Sequence, residues 1–226
     1  PYNSSKYLAS PRFYQEAARG DDVRYDIREI HGFIYNNATP IVSATNAPSL
    51  LIVGKLYRDT LNGLSYSNFN SQFAIPIHGV EHFDDYSLTD LEKFDAVVLY
   101  GYNYHDATTA WKLLTEYVQN GGNLIIETGL QYVSPNWNAS YIPLPSPVEK
   151  TIWTKFGKEW RFSYINHSVT SDVNFTSFAP ALWGTDPWGF SIADNQSVRS
   201  WAKPVLWSNG YPIIVAGTYG KGRVVW

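Results

Sequence analysis

Four short apolar segments along the chain predict strands buried on both faces. They cover residues 50–54, 73–77, 95–100 and 123–127, and each is bounded by glycine or polar residues. Uninterrupted apolar runs of this length are typical of parallel strands covered by helices. Strands that alternate with helical patterns indicate a parallel sheet with right-handed crossovers.

One clear helical pattern stands between the third and fourth strands. From Asp106 to Asn120, apolar residues recur at the spacing of one helix face, and these are Ala107, Ala110, Trp111, Leu114 and Val118. Gly121 and Gly122 predict the end of this helix. A second, shorter helix is predicted after Ser87, where Ser87 and Asp90 have the spacing of a capping box.

The C-terminal pattern is that of a hairpin. Two apolar segments, 205–207 and 211–218, flank an Asn209-Gly210 turn, and a further strand follows Gly220-Lys221-Gly222. The predicted fold class is therefore α/β, a flavodoxin-like three-layer sandwich with a mainly parallel sheet and a C-terminal antiparallel hairpin.

The pattern also predicts domain boundaries. Residues 1–47 are irregular and are interpreted as an N-terminal extension or linker that packs on the domain, which spans residues 48–226. The chain starts at Pro1 and ends at Trp226 inside an apolar run, so we expect a piece of a longer protein with a truncated C-terminus.

Composition excludes several functional classes. Charged residues are only 16%, the net charge is −3, and Lys and Arg form no cluster, which argues against nucleic acid and against an anionic membrane surface as partners. The chain has no Cys, so disulfides, thiolate metal sites and a Cys nucleophile are impossible. No cofactor is expected.

Glycosylation sequons suggest a compartment. Six Asn-x-Ser/Thr sequons occur, against about two or three expected by chance. We expect an extracytoplasmic, cell-surface location, with any membrane contact made through an anchor outside this sequence. An Asn- and Ser-rich chain that makes sequons by accident is the alternative. The first sequon begins at Asn3, and the predicted glycosylation sites are Asn37, Asn138, Asn166, Asn174 and Asn195.

Two blocks of sequence resemble a known fold family. The first joins the segment 94–100 to the helix and strand of 114–126, and the second joins 209–216 to 219–225. Over residues 49–226 the chain resembles the class I glutamine amidotransferase-like fold. Within that fold it is similar to ThuA-like proteins, to the middle domain of some β-galactosidases and to extracytoplasmic domains of prokaryotic membrane proteins.

The chain departs from that family at the catalytic position. The resemblance implies a nucleophilic Cys on a strand-to-helix elbow, paired with a His. Here the strand that ends at Gly101 continues into Tyr102-Asn103-Tyr104-His105, and Cys is absent throughout. Glutamine hydrolysis by the family's mechanism is therefore excluded.

Polar residues after the predicted strands are candidates for a site, because ligands of open parallel sheets bind beyond the carboxyl ends of the strands. Several His and acidic side chains are expected to converge there. Arg58, Tyr102 and Asn103 are predicted ligand contacts. The candidate catalytic groups are His105, Asp106 and Glu127, although Asp106 also suits a helix N-cap and Glu127 a hydrogen-bonded or solvated carboxylate.

His78-Gly79-Val80-Glu81-His82 matches a zinc-binding pattern, which makes His78 and His82 metal candidates. That chemistry needs a helix to bring both His onto one face, and Gly79 after a strand disfavours one. Ordinary loop histidines are the favoured interpretation, and no metal is expected.

The segment from Trp183 to Trp188 is predicted to be a loop that contributes two indole rings to a contact surface. The function expected from these observations is a non-catalytic extracytoplasmic binding or interaction domain. Its partner would be a carbohydrate, another subunit or another domain of the parent protein. A glycan-type hydrolase and a metal-dependent enzyme are the alternatives.

Overall fold

The computed structural model describes residues 49–54, 68–69, 72–73, 75–78, 82–128, 141–154, 161–171, 173–175, 182–183, 186–187 and 190–226. The chain divides into two compact units, an N-terminal unit of residues 1–113 and a C-terminal unit of residues 114–226. The predicted extension of residues 1–47 lies outside the described residues, and its boundary stays a prediction.

Three parallel strands organise the N-terminal unit. They are β1 (Ser49–Gly54), β4 (Ile75–His78) and β5 (Ala96–Tyr100), and β1 lies between the other two. A two-stranded antiparallel ladder, β2 (Asn68–Phe69) with β3 (Gln72–Phe73), precedes β4. The three apolar segments that predicted parallel strands in this unit are confirmed.

Both faces of β1 and β5 are buried. Leu50, Ile52, Ala96 and Val98 form one apolar cluster with Tyr100 packed against it, while Leu51, Val53, Val97 and Leu99 are almost wholly inaccessible to solvent. Apolar burial on both sides is the main stabilising term for strands of this kind, at about 25 cal/mol per Å² removed from water. The unbroken apolar runs in the sequence follow from this burial.

A short helical segment connects β4 to β5. A 3-10 turn (Phe83–Asp85) is followed by helix α1 (Leu88–Leu91), whose N-cap is Ser87. The Ser87 hydroxyl accepts a hydrogen bond from the Asp90 backbone, and the Asp90 carboxylate accepts one from the Ser87 backbone. The predicted capping box is confirmed.

Helix α2 (Ala107–Asn120) ends in the two glycines that predicted its end. The backbone N–H of Gly121 donates to Val118 and that of Gly122 to Tyr117, which is a Schellman motif with Gly121 at φ +122°. Ala110, Trp111, Leu114 and Val118 are buried as predicted. Ala107 was expected on the same face but is exposed, because it occupies the first turn of the helix.

The C-terminal unit has a mixed sheet with the strand order β6–β14–β13–β12–β8. Strand β6 (Asn123–Ile126) is parallel to β14 (Gly222–Val225), and the remaining neighbours are antiparallel. The other strands of the sheet are β8 (Phe162–Tyr164), β12 (Ala202–Ser208) and β13 (Tyr211–Tyr219). The predicted Asn209-Gly210 turn joins β12 to β13, with both residues at positive φ.

Two small antiparallel ladders complete the strands of this unit. Strand β7 (Thr151–Thr154) pairs with β11 (Phe190–Ala193), and β9 (Leu182–Trp183) pairs with β10 (Asp186–Pro187).

A polar network centred on Arg199 holds residues 142–149. The Arg199 guanidinium donates to the carbonyls of Ser146 and Ile142 and to the Glu149 carboxylate.

The protein is thus an α/β chain rich in strand, and the prediction of a mainly parallel sheet needs correction. Parallel pairing holds throughout β4–β1–β5, but antiparallel pairs predominate in the C-terminal unit. Within the described residues only two α-helices occur. Burial alternates along β6, where Leu124 and Ile126 are buried and Ile125 is 39% exposed, so that strand is covered on one side more than on the other. Neither described helix is long and apolar enough to cross a membrane.

A glycine at the end of β1 provides a test of this packing. A Cβ on Gly54, which has φ +115°, would collide with the Tyr100 carbonyl oxygen and lie 2.6 Å from the Tyr102 nitrogen. We therefore expect Gly54→Ala to lower the free energy of unfolding by about 3 kcal/mol or more, from backbone strain plus overpacking. Denaturant titration measures the loss.

Gly210→Ala is the matched control for this substitution. Gly210 also has positive φ, +85°, but nothing lies within 4 Å of its added Cβ. Only the backbone strain of about 1–2 kcal/mol should appear. Equal losses in the two variants would show that the close approach of β5 to Gly54 is unimportant.

Candidate functional site

The carboxyl ends of the parallel strands in the N-terminal unit carry a cluster of polar residues. Beyond Gly54, where β1 ends, the segments that follow β4 and β5 pair directly with each other. His82 forms a parallel bridge with Asn103, and the Phe83 backbone N–H donates to the Asn103 carbonyl at 3.1 Å. Two stretches of chain 21 residues apart are thereby joined at the edge where ligands of parallel sheets bind.

The Asp84 carboxylate strengthens this junction. It accepts the backbone N–H of His105, at 2.9 Å from each oxygen, and the backbone N–H of Asp106 at 2.8 Å. Hydrogen bonds to an ionised acceptor are about twice as strong as neutral ones. Asp84 therefore fixes the course of the chain immediately before α2.

Three chemically active side chains meet on this junction. The rings of His82 and His105 are stacked with centroids 4.1 Å apart and an interplanar angle of 10°, and His105 Nε2 lies 3.1 Å from Asp85 Oδ1. One ligand-type atom from each of His82, Asp85 and His105 lies within 4.8 Å of the others. The side chains of His105 and Asp85 are 62% and 41% exposed, so the cluster is open to solvent.

Aromatic rings pack around Phe83, the residue that follows His82 in the chain. Phe83 is fully buried, and its ring contacts Tyr102, Tyr104 and Trp111 at centroid distances of 5.6–5.8 Å. Burial raises the pKa of Tyr104. Tyr102, predicted as a ligand contact, is only 1% exposed, because its ring packs against Phe83 and Trp111. The structure places it in the core and not at the open edge.

Asp106, a candidate catalytic acid, caps helix α2. Its Oδ1 accepts the backbone N–H of Thr109 at 2.8 Å, and its carbonyl accepts that of Ala110. Hydrogen bonds from the Thr109 side chain and backbone lower the pKa of Asp106. The alternative interpretation of Asp106 as an N-cap agrees with this geometry.

The remaining predicted residues are dispersed. Asn103 is half-buried, and its Oδ1 accepts the Tyr104 backbone N–H. Glu127 is half-buried after β6 in the C-terminal unit. His78 ends strand β4 and His82 has extended dihedrals, so neither histidine of the His-x-x-Glu-His pattern is in a helix. Arg58 lies outside the described residues.

Trp183 belongs to β9, where it pairs with Asp186 of β10, so the segment predicted as a loop contains a short antiparallel ladder. The side chain of Trp183 and the whole of Trp188 lie outside the described part of the chain. Among the predicted glycosylation sites, Asn166, Asn174 and Asn195 are exposed. Asn37 and Asn138 lie outside the described residues.

Sequence reasoning expected His and acidic side chains to converge at this edge but did not select Asp84 or Asp85. The available signal was their position between two parallel strands, before a predicted helix. Nothing in an Asp-Asp pair indicates which carboxylate will bind backbone N–H groups and which will face an imidazole.

Comparison with known proteins shows similarity at the level of the fold. The model of a family described as a domain of unknown function (DUF8560) matches residues 63–139. A search of curated proteins finds no match.

Among solved structures, a cytoplasmic protein of Salmonella typhimurium LT2, STM1381, is similar with a TM-score of 0.53, at 15% identity over 78% of this chain and 86% of that protein. A putative ThuA-like protein of Bacteroides uniformis has a TM-score of 0.41 at 11% identity, covering 81% of this chain and 83% of that one. The GH42 β-galactosidase Gan42B is similar with a TM-score of 0.40 at 10% identity, over 90% of this chain but 30% of that enzyme. A ThuA-like protein and a β-galactosidase, the two kinds of protein named from the sequence, are thus among the distant structural neighbours.

The position of Asp106 at the N-cap of helix α2 predicts the direction in which the pKa of its carboxyl group is shifted. Because hydrogen bonds favour the ionised form, its folded pKa lies below the usual 3.8. The resulting stabilisation is present above the unfolded pKa and is lost as the pH falls through the folded pKa. Thr109→Val, which removes the hydroxyl, should raise the pKa of Asp106 towards 3.8, as measured by NMR titration of its carboxyl carbon. A wild-type pKa at or above 3.8 would contradict the cap.

Proposed function

We propose that this chain is a non-catalytic binding domain of the flavodoxin-like, class I glutamine amidotransferase-like type, and that it binds a carbohydrate at the edge formed by His82, Asp85 and His105. The three-layer arrangement is supported by the burial of both faces of β1 and β5. The similarity to STM1381 supports the fold alone.

The observation that carries the proposal is the position of Tyr102. In the resembled family, the nucleophile projects into the active site just after such a strand. Here Gly101, at φ +60°, turns the chain, and the next side chain, Tyr102, packs into the core against Phe83 and Trp111. The backbone then pairs with the β4 side through Asn103 and does not enter α2 directly. After this strand the chain thus carries a buried aromatic side chain and no strand-to-helix elbow with a nucleophile.

The use made of the carboxylates also favours binding over glycan hydrolysis. Glycoside hydrolysis requires two carboxyl groups on either side of the scissile bond, one of them as an acid. Asp84 is bonded to two backbone N–H groups, and Asp106 is occupied as the helix cap with its pKa lowered. The lowered pKa makes Asp106 a poor general acid.

The exposed cluster suits a polyhydroxyl ligand. A carboxylate accepts hydrogen bonds from sugar hydroxyls, and imidazole nitrogens both donate and accept. Asp85 and His105 present these groups 3.1 Å apart on an open surface, on backbone that is held by the Phe83–Asn103 and Asp84–His105 hydrogen bonds. Side chains held by a rigid support lose less entropy on binding.

An extracytoplasmic, cell-surface location is part of the proposal, with membrane attachment through the parent protein. The exposure of Asn166, Asn174 and Asn195 supports it, because a buried sequon cannot accept a glycan. Other domains or subunits of the parent protein are the further partners proposed.

Affinity electrophoresis in gels that contain soluble polysaccharides tests the binding role. With EDTA present, at least one polysaccharide should retard the wild-type protein and release no reducing ends. The double variant Asp85→Asn/His105→Gln should bind at least about tenfold more weakly, a loss of about 1.4 kcal/mol.

The matched control is Asp95→Asn/His167→Gln, which makes the same chemical changes at an exposed Asp of the N-terminal unit and a His of the C-terminal unit. It should be retarded like the wild type. Equal retardation of both double variants, or release of reducing ends that the cluster variant abolishes, would overturn the proposed function.

The location makes a separate prediction. On intact cells that produce the full-length protein, added protease should degrade this domain while a cytoplasmic marker survives, as followed by immunoblot. Protection of the domain until the cells are lysed would contradict an extracytoplasmic location and leave the binding test unaffected.

A further inference from the structure

We infer that His82, Asp85 and His105 form an open binding site for a divalent transition-metal ion of the zinc class. The inference deepens the proposed function, because it names a metal ion as a ligand of the same edge. In the proposed site, the second histidine ligand beside His82 is His105. The sequence pattern had suggested His78 instead. His78 lies in strand β4, whereas His105 is in ring-to-ring contact with His82.

The distances fit such a site with little rearrangement. Two ligand atoms at 2.0–2.1 Å from a tetrahedral Zn²⁺ are about 3.3 Å apart. His105 Nε2 and Asp85 Oδ1 are 3.1 Å apart, and the three ligand atoms all lie within 4.8 Å of one another. The stacked rings must turn so that their nitrogens converge, and the 62% exposure of the His105 side chain leaves room for that rotation.

The backbone that carries these ligands is already fixed. The hydrogen bond from the Phe83 backbone N–H to the Asn103 carbonyl joins the His82 segment to the His105 segment. Asp84, which belongs to the His82 segment, accepts the backbone N–H of His105. A metal site whose ligands are held by hydrogen bonds outside the coordination sphere loses little entropy when the ion binds. The remaining conformational cost of binding the ion is that of rotating the side chains.

The donor set selects the class of ion. Two imidazoles and one carboxylate suit Zn²⁺ and its neighbours in the transition series, whereas Ca²⁺ and Mg²⁺ prefer sites made of oxygen alone. Three protein ligands leave at least one coordination position for water or for an oxygen of a second ligand. A hydroxyl or carboxylate from a bound carbohydrate has the right chemistry for that position.

Calorimetric titration of untagged, EDTA-stripped protein with ZnCl₂ alone tests the site. The wild type should bind one equivalent. His82→Gln, Asp85→Asn and His105→Gln should each weaken binding at least about tenfold, since even loss of an outer-sphere partner costs 10–100-fold. The Asp95→Asn/His167→Gln control should bind like the wild type. Circular dichroism confirms that each variant is folded.

Co²⁺ provides a readout that does not depend on the variants. The wild-type protein with Co²⁺ should develop visible absorption bands from nitrogen and oxygen coordination, and Zn²⁺ should displace them. Absence of saturable Zn²⁺ binding up to about 1 mM, or unchanged affinity in all three ligand variants, would overturn the inference. Because the polysaccharide assay is run in EDTA, loss of the metal site and loss of the binding role are distinguishable.

Discussion

The geometry of the candidate site depends on one carboxylate, that of Asp84. It accepts two consecutive backbone N–H groups, those of His105 and Asp106, from a segment that is 21 residues away in sequence. An ionised acceptor gives each bond more strength than a neutral one would, and its charge also lies next to the positive end of the α2 dipole. The ring stacking of His82 on His105 and the N-cap of α2 both require the chain to follow this course.

The same constraint separates binding from catalysis. Both oxygens of Asp84 accept backbone N–H groups, and Asp106 caps the helix, where hydrogen bonds from Thr109 lower its pKa and make it a poor general acid. Tyr102, the residue after the turn at Gly101, is buried in the core and does not lie at the open edge. What the edge retains is a set of exposed hydrogen-bonding and ligating groups on a rigid base.

Most of the strands and turns could be predicted because their causes are local. The apolar runs of β1, β5 and β6, the capping box at Ser87 and the Gly121-Gly122 helix end depend on burial and on backbone freedom that the residues themselves specify. The mixed pairing of the C-terminal unit was harder to predict, because an apolar strand has the same pattern whether its neighbour is parallel or antiparallel.

The position of the site could be predicted from the sequence, but the contacts that each residue makes there could not. Strand order brings the ends of β4 and β5 to one edge, and this was sufficient to expect that His and acidic residues converge there. The role of each residue depends on tertiary contacts that leave no sequence signature. Tyr102 is polar enough for a ligand contact, yet packing with Phe83 and Trp111 turns it inward. Asp84 and Asp85 are adjacent and identical, yet one binds backbone and the other an imidazole.

The end of β1 constrains the backbone that leads into the cluster. Gly54 has no side chain, and its positive φ turns the strand away where the backbone of Tyr100 and Tyr102 passes within van der Waals distance. Gly54 is the last residue of β1, and the bridge between His82 and Asn103 forms one residue beyond Tyr102. A side chain at position 54 would displace the backbone of residues 100–102, which leads directly into Asn103 and His105. The placement of His105 beside His82 therefore depends in part on a glycine that takes no part in the site itself.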